Sequence, residues 1–310
     1  MSVAAIVIGR NEGARLIACL DALEEVAPVI YVDSGSTDGS VAAAQARGAR
    51  VVTLDMQRPF TAARARNAGL AALPDAAEFV QFLDGDCVMQ KGWVEAARAH
   101  LAAHPDTAVV CGRRREMHPQ ASVYNALIDA EWDTPVGQTL ACGGDALMRV
   151  DAVRSVGGYR DDLIAGEEPE LCVRLRRAGW HIWRLDAEMT AHDAQITRFP
   201  QWWRRSMRAG HAFAEGAALH GAAPERHWVA QTRRALLWGA VLPALLIPAS
   251  MIVGVWVWLI YPVQVARLAR RGGIAWAFFT VLGKFAEAFG ALGYYWRRLR
   301  GGRIRLIEYK

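Results

Sequence analysis

Paired cysteines are missing from this 310-residue sequence: its five cysteines are scattered, and none belongs to a Cys-x-x-Cys pair. That spacing argues against a disulfide framework and favours a reduced main domain. The N-terminus also lacks a basic segment followed by an apolar signal core, because Val3–Ile8 is only long enough for a strand. We therefore expect the bulk of the protein to lie in the cytosol.

An acidic excess is absent too, and the net charge is +5. A basic chain is typical of a nucleic-acid binder or of a protein that faces anionic lipid. The basic residues lie beside apolar segments and not among exposed aromatic side chains. We therefore expect no nucleic-acid partner.

A Gly-x-Gly-x-x-Gly fingerprint is also absent, since neither Gly9 nor Gly35 begins one. Its absence argues against a nicotinamide-binding domain. What the first third of the chain does contain is a regular alternation of strand and helix patterns, with strands at Val3–Ile8, Val29–Val32 and Arg50–Leu54. This alternation predicts an α/β sheet with right-handed crossovers.

The apolar run Val80–Leu83 ends in two carboxylates, Asp84 and Asp86, which are separated by Gly85. The run predicts a buried parallel strand, because it is apolar throughout and too short for a helix. Ligands of open α/β sheets bind beyond the carboxyl ends of the strands, where both aspartates would lie. Two carboxylates there suit Mg²⁺ or Mn²⁺ held against a diphosphate. The alternative is an acidic turn that caps a strand.

Four short motifs occur in the order and spacing found in family-2 glycosyltransferases: Arg10-Asn11-Glu12, Val32–Gly39 (Val-Asp-Ser-Gly-Ser-Thr-Asp-Gly), Arg66–Gly69 (Arg-Asn-Ala-Gly) and Leu83–Asp86 (Leu-Asp-Gly-Asp). Over about residues 3–215 the chain resembles that family. The resemblance implies a GT-A fold, which is a Rossmann-like, mixed and mostly parallel sheet with helices on both faces. It also implies an inverting sugar transfer from a nucleotide diphosphate-sugar, for which we expect a UDP-sugar.

The same resemblance assigns roles at the donor site. Asp33 would contact the uracil or ribose, Asp84 the ribose, and Asp86 the metal ion, Mn²⁺ or Mg²⁺. The donor-binding residues predicted in this way are Arg10, Glu12, Asp33, Arg66, Asn67, Asp84 and Gly85.

The next segment contains basic and glycine-rich stretches. Arg113–Arg115 are predicted to form an irregular stretch in which at least two arginines are solvated. Gly143, Gly144 and Asp145 resemble the family's floor under the acceptor and the transferred sugar, where glycines permit a close backbone approach. A plain loop between core elements is the alternative.

Three glutamates surround Pro169, which suits the first position of a helix and would place Glu168 at its cap. An inverting transfer needs one base that takes the proton of the acceptor hydroxyl. In the family a Glu-Asp pair opens this helix, and its second member resembles that base. Glu168 is therefore the candidate, with Glu167 or Glu170 as alternatives. Acidic residues are also ordinary at a helix N-terminus.

His192 follows a predicted strand, Trp180–Leu185, at a position similar to that of a third metal ligand in GT-A enzymes. Neutral imidazole suits Mn²⁺, although a structural histidine is the alternative. Gln201–Arg205 resembles the Gln-x-x-Arg-Trp signature of processive synthases, but arginine replaces the tryptophan, so we expect transfer of a single sugar. Arg204 and Arg208 would neutralise the leaving diphosphate, unless this helix only packs two tryptophans on the catalytic domain.

Charge is absent from Ala235 to Pro262, a stretch long enough to cross a bilayer. A proline-broken re-entrant hairpin with both ends in the cytosol is the alternative. A second apolar stretch, Ile274–Trp296, predicts an interfacial amphipathic helix or a second span. Arginines flank these stretches and would attract anionic lipid head groups. A buried hydrophobic subdomain is the remaining interpretation.

Together these patterns predict three regions: a nucleotide-sugar-binding half (1–110), an acceptor or catalytic half (111–222) and a membrane-associated helical region (223–310). The predicted function is a metal-dependent inverting glycosyltransferase at the inner (cytoplasmic) membrane, with its catalytic domain facing the cytosol. It would transfer one sugar to a lipid-linked or glycan acceptor in cell-surface glycan or exopolysaccharide synthesis. The alternative is a non-catalytic, sugar-nucleotide-binding membrane scaffold.

Overall fold

The computed structural model describes residues 2–301, which form two compact units. The first unit contains the residues up to Ala121 together with Ile128–Gln195. The second contains Ser122–Leu127 together with the residues from Ile196 onward. The three regions predicted from the sequence differ from these units, because they were defined by expected function and the units are defined by compactness. The predicted boundaries at residues 110 and 222 remain a prediction.

The first unit is built from alternating strands and helices. Its strands are β1 (Val3–Gly9), β2 (Val29–Asp33), β3 (Arg50–Thr53), β4 (Phe79–Asp84), β5 (Cys87–Met89), β6 (Thr107–Glu116), β7 (Gly137–Thr139), β8 (Ala146–Arg149) and β9 (His181–His192). The helices are α1 (Ala14–Asp21), α2 (Ser40–Ala46), α3 (Ala62–Ala71), α4 (Trp93–Ala103), α5 (Val123–Glu131, which contributes to both units), α6 (Val150–Ser155) and α7 (Glu167–Arg177).

The strands form one mixed sheet in the order β3-β2-β1-β4-β8-β6-β9-β5, with β7 paired to β9. The first four strands are parallel, as predicted, whereas β8 runs antiparallel to both β4 and β6. The sheet is therefore mixed, as predicted, and beyond β4 its parallel pairing is that of β6 with β9. Because the chain passes from β3 to the far side of β1, the strand order reverses between β1 and β4. Such a reversal opens a crevice at the carboxyl ends of the strands.

Helices cover both faces of this sheet. The side chains of β1 accordingly alternate between two buried clusters, one on each face. Ala4, Ile6 and Ile8 pack in one cluster with residues of α3, α4 and α7. Ala5 and Val7 pack in the other with residues of α1 and α2. The register places Asp33 beside the end of β1 on one side and Asp84 on the other. The fold thus brings both predicted donor-site aspartates to one edge of the sheet.

Three local predictions were wrong. Arg113–Arg115 are not irregular, because β6 continues through Glu116, and only Arg115 has a largely exposed side chain. Helix α7 begins at Glu167, so Glu168 and Pro169 lie in its first turn, where proline is tolerated because those N–H groups have no partner within the helix. The strand predicted at Trp180–Leu185 continues to His192 as β9.

The second unit is helical. Its elements are α8 (Phe199–His220), α9 (Val229–Leu236), a π-helical turn (Leu237–Val241), α10 (Leu242–Val253), a 3₁₀ turn (Val255–Leu259) and α11 (Ile260–Arg300). Gly273 breaks the regular backbone of α11 with a φ of 80°. By length and composition alone, Val229–Val253 and Val255–Arg300 are each apolar enough to cross a membrane.

Candidate active site

A buried guanidinium lies at the centre of the predicted site. Arg66 on α3 is only 2% exposed, and its Nη2 lies 2.9 Å from Oδ1 of Asp84 at the end of β4. Its Nη1 lies 2.9 Å from Oε1 of Glu167 and also 2.9 Å from Oε1 of Glu168, the two residues that begin α7. One side chain therefore joins the predicted donor strand to the predicted catalytic helix. Thr61 fixes the start of α3, since its hydroxyl oxygen accepts the N–H of Arg64 at 3.1 Å.

The surroundings of Glu168 raise the pKa of its carboxyl group. Burial, followed by the neighbouring carboxylate of Glu167, raises the pKa of Glu168 to about 7, against the opposing effect of Arg66. Burial disfavours the charge of Arg66, but Glu168, Asp84 and Glu167 outweigh it and raise the pKa of this guanidinium well above its ordinary value. A permanent cation thus faces a carboxyl group that exchanges its proton near neutral pH. Such a group suits general-base catalysis.

The glycine-rich loop before β8 closes over the same cluster. A Cβ atom at Gly144 would lie 2.6 Å from Nη2 of Arg66 and 3.1 Å from Oδ2 of Asp84. Only a residue without a side chain lets the backbone approach so closely. Asp145 follows, and its carboxylate accepts the N–H of Asp84 at 3.4 Å and the hydroxyl of Thr190 at 2.7 Å. The predicted acceptor-floor residues thus contact the predicted donor strand.

A second arginine, Arg114 on β6, lies among the same carboxylates. Its Nη2 is 3.6 Å from Oδ2 of Asp84, and its Nε is 3.4 Å from Oδ2 of Asp145. The guanidinium carbon lies 4.6 Å from the ring centroid of Trp132, within cation–π range. Arg114 was not among the predicted site residues, because three consecutive arginines indicate a solvated charge run.

Asp86 and His192 meet beside this cluster. Oδ2 of Asp86 is 3.4 Å from Nε2 of His192, and both side chains are buried. Two ligands of one ion bound at about 2.1 Å lie roughly 3 Å apart, so this spacing fits a shared metal ion. Carboxylate with imidazole is a donor pair that Mn²⁺ accepts. The predicted pair is therefore brought together in a geometry that fits the ion.

The protonation states agree with this donor pair. Burial, followed by the charge of Arg114, lowers the pKa of His192 and favours the neutral imidazole that binds metals. Glu116 lies behind the ring, with its Oε2 3.7 Å from Nδ1 of His192, where an outer carboxylate orients a ligating histidine. Cys87 is also close, and burial raises the pKa of its thiol well above the ordinary value.

Asp33 shapes the loop after β2. Its carboxylate accepts the N–H groups of Gly35 and Ser36 at 3.0 and 3.1 Å and the hydroxyl of Tyr31 at 3.2 Å, and it is 3% exposed. Asn11 ties this loop to the end of β1, because its Oδ1 accepts the N–H of Thr37 at 2.7 Å. These contacts support the loop, and a direct contact of Asp33 with a nucleotide remains a prediction.

Other predicted donor-site residues have identifiable protein contacts. Arg10 is exposed, and Glu12 pairs with Arg15 at 2.7 Å. Gly85 lies close to Glu12, whose Cγ is 3.1 Å from the position that a Cβ would occupy. Asn67 accepts the N–H of Tyr159 at 2.8 Å and donates to its carbonyl at 2.7 Å. Their contacts with a donor remain predictions.

The remaining predicted residues lie on helices, except Gly143, which lies in the loop before β8. Glu170 is buried on α7 and binds Arg174 at 2.7 Å, so its charge is balanced by a neighbour one turn away. Gly143 has open space, with Nη1 of Arg114 4.0 Å from the position of a Cβ. Arg204 and Arg208 lie on α8 in the second unit. Their predicted roles toward the acceptor and the diphosphate are not tested by these contacts.

Comparison with known proteins finds that the chain is similar to sugar-transferring enzymes. Residues 4–134 match the family model described as Glycosyl transferase family 2. Pre-mycofactocin glycosyltransferases from two strains of Mycobacterium tuberculosis are 31% identical over 169 residues, which is 51% of this chain and 35% of theirs. The chain thus spans about a third of the length of these relatives. The succinoglycan biosynthesis protein ExoA of Rhizobium meliloti is 26% identical over 264 residues, 79% of each chain.

Solved structures share the fold. The mannosyltransferase PcManGT from Pyrobaculum calidifontis, in complex with GDP-Man and Mn²⁺, has a TM-score of 0.67 and 22% identity, covering 94% of this chain and 86% of that one. Glucosyl-3-phosphoglycerate synthase from M. tuberculosis, in complex with Mn²⁺, UDP and glucosyl-3-phosphoglycerate, has a TM-score of 0.51 and 20% identity, covering 71% and 80%. The predicted GT-A fold is confirmed.

The close approach at Gly144 predicts a stability difference between two adjacent glycines. Gly144→Ala would place a methyl group against Arg66, which is buried and bound by three carboxylates and cannot move aside. We expect the free energy of unfolding to fall by about 1–3 kcal/mol. Gly143→Ala is the matched control, and neither glycine has a positive φ. Chemical denaturation of both variants measures the difference, and equal stabilities would contradict the packing described.

Proposed function

The chain belongs to glycosyl transferase family 2, and on that premise we propose that it transfers a single sugar from a nucleotide diphosphate-sugar to an acceptor, with inversion at the anomeric carbon. The observation that carries this proposal is the position of Glu168. Its carboxyl group lies against the Arg66–Asp84 pair, and its pKa is raised to about 7. A base tuned to neutral pH beside the donor strand is what such a transfer requires.

In the proposed reaction the acceptor hydroxyl attacks the anomeric carbon while the bond from that carbon to the diphosphate oxygen breaks. The hydroxyl proton passes to the Glu168 carboxylate. Glu167 assists indirectly, because its charge raises the pKa of Glu168. Arg66 contacts both Glu168 and Asp84 and so keeps the base fixed relative to the donor strand.

We assign Asp86 and His192 as the protein ligands of Mn²⁺ or Mg²⁺. The bound ion would supply positive charge to the diphosphate as it leaves. The complexes of PcManGT with GDP-Man and Mn²⁺ and of glucosyl-3-phosphoglycerate synthase with UDP and Mn²⁺ support this donor class. We propose a UDP-sugar as the donor, with Asp33 and Asp84 facing the nucleoside.

The proposed acceptor is lipid-linked, and the proposed location is the cytoplasmic face of the inner membrane. The similarity to a succinoglycan biosynthesis protein supports a role in exopolysaccharide or cell-surface glycan synthesis. The long apolar helical segments support a membrane-bound acceptor, because a lipid carrier requires the active site to be near a bilayer. Arg204 and Arg208 remain the proposed contacts to the leaving diphosphate.

The first test removes the base. Glu168→Gln keeps the size of the side chain but cannot accept a proton, so we expect kcat to fall by about 10²–10⁴-fold while nucleotide binding persists. The control is Glu188→Gln, which removes a surface carboxylate that pairs with Arg115. Turnover of nucleotide-sugar by the purified variants measures the effect. Equal activity of the two variants would reject Glu168 as the base.

The second test removes a metal ligand. Mn²⁺ with UDP should raise the melting temperature of the protein, because a ligand that binds only the folded state stabilises it. We expect Asp86→Asn to abolish the Mn²⁺-dependent part of this rise, whereas Asp75→Asn, at an exposed position, should leave it intact. An unchanged shift in Asp86→Asn would reject the assignment of this ligand.

These measurements also separate the enzyme from the alternative, a non-catalytic scaffold that binds sugar nucleotides at a membrane. The scaffold predicts a metal-dependent shift with nucleotide and no turnover by the unmodified protein. The carboxyl group tuned near neutral pH favours the enzyme, since a binding module does not need a base.

A further inference from the structure

Most of the exposed large apolar side chains of the second unit lie around one turn, and the others lie at the starts of α5 and α8 and in the part of α11 after Gly273. Met251 and Ile252 at the end of α10 are 88% and 86% exposed, and Trp256 after the turn is 72% exposed. The apolar residues that are also exposed nearby are Leu237, Val241, Leu245, Ile247, Val253, Val255, Leu259, Ile260 and Val263. A contiguous apolar surface of this kind marks an interaction site.

The segment folds back on itself as a hairpin. Gly254 ends α10 with a φ of 94° and a ψ of 173°, a conformation that favours glycine. On the return, the indole N–H of Trp258 donates to Oγ of Ser250 at 2.9 Å. The hydroxyl of Tyr261 then donates to the carbonyl of Trp238 at 2.7 Å. We call Leu242–Pro262 the apolar hairpin, with its tip at Gly254.

The helices that support the hairpin are not suited to span a bilayer. The part of α11 after Gly273 packs along α8, with no room for a Cβ at Gly210 against Glu287 or at Gly290 against Met207. Helix α8 carries three arginines in its first half and a buried His211–Glu215 pair in its second. Charges at this density are very costly inside a membrane. Two helices packed along this length share one environment, and here it is not the hydrocarbon core.

The part of the hairpin that extends beyond its packing on α11 is then too short to cross a bilayer. The π-helical turn before it packs on α11, since Gly239 leaves no room for a Cβ against Lys284. Beyond that turn α10 has 12 residues, or about 18 Å at 1.5 Å per residue. The hydrocarbon core of a bilayer is about 30 Å thick. The hairpin therefore reaches into one leaflet and returns.

Basic residues follow the base of the hairpin, where lipid head groups would lie if its tip were inserted in a leaflet. Arg267, Arg270 and Arg271 are all exposed on the first part of α11. Anionic lipid at a membrane surface attracts such a cluster. The apolar tip and these arginines thus match the two layers of a single leaflet.

We propose that the apolar hairpin inserts into one leaflet of a bilayer that contains anionic lipid, and that the described chain does not cross that bilayer. The inference rests on the proposed function only in that a lipid-linked acceptor requires membrane contact. It specifies how the contact is made. Both ends of the hairpin lie on one side, and the three arginines bind lipid head groups.

Cysteine labelling tests the topology in the full-length protein, whose native cysteines are all free and buried. Ile252→Cys places a thiol at the tip, and Ala222→Cys places one in the exposed turn between α8 and α9. A membrane-impermeant maleimide is applied to spheroplasts and to inverted membrane vesicles. We expect Ala222→Cys to react from one side only and Ile252→Cys to react from neither side until detergent is added.

Two outcomes would overturn the proposal. Reaction of Ile252→Cys from the side opposite to Ala222→Cys would mean that the segment spans the bilayer. Equal reaction of both thiols from the same side would mean that the tip stays in water. The nucleotide-dependent thermal shift, measured on the same variants in detergent, reports the proposed function separately. A shift that persists with the wrong topology rejects only the insertion.

Vesicle binding tests the head-group contact. Vesicles of phosphatidylcholine with phosphatidylglycerol are compared with vesicles of phosphatidylcholine alone. We expect Arg271→Gln to weaken binding to the anionic vesicles about fivefold. Arg98→Gln, at an exposed position on α4, is the matched control and should bind like the unmodified protein. An equal loss in both variants, or equal binding to both kinds of vesicle, would contradict a specific contact.

Discussion

The arrangement of the candidate site depends on one buried cation. Arg66 has almost no contact with solvent, yet it carries a full charge that must be neutralised where it lies. Asp84 and the two glutamates that open α7 provide this neutralisation. Arg66 in turn holds each of these three carboxylates in place, because moving one of them would leave a charge unpaired in a medium of low polarity. The end of a strand and the start of a helix distant in sequence are thereby fixed to each other.

Burial, followed by the neighbouring charges, explains why the pKa of Glu168 is raised to about 7. Four carboxylates, those of Asp84, Asp145, Glu167 and Glu168, face only two guanidinium groups, Arg66 and Arg114. Burial raises the pKa of Glu168 most, and the carboxylates of Glu167 and Asp84 raise it further against the opposing charge of Arg66. The pair proposed to bind the metal ion differs, because burial lowers the pKa of His192 and favours its neutral imidazole. The groups proposed for proton transfer and for ion binding are thus adjacent but separate.

Much of this site was predictable, because strand ends in a parallel sheet share one edge and Asp33 and Asp84 follow apolar runs. Arg114 was not, since three consecutive arginines are typical of a solvated surface. Neighbouring residues of a strand face opposite sides, which distinguishes the half-buried Arg114 from the exposed Arg115. The apolar run ended too early to reveal that β6 continues. The start of α7 was misplaced because proline fits any position of the first turn, not just the first.

The most direct test of this account is the titration of the Glu168 carboxyl group itself. Infrared difference spectra of protein with isotope-labelled glutamate, compared with those of Glu168→Gln, isolate its carboxylate band. The account predicts that this band appears as the pH rises through about 7, the value set by burial and by Glu167. A midpoint near the ordinary glutamate value of about 4.5 would contradict it. The charge balance around Arg66 would then not produce a base tuned to neutral pH.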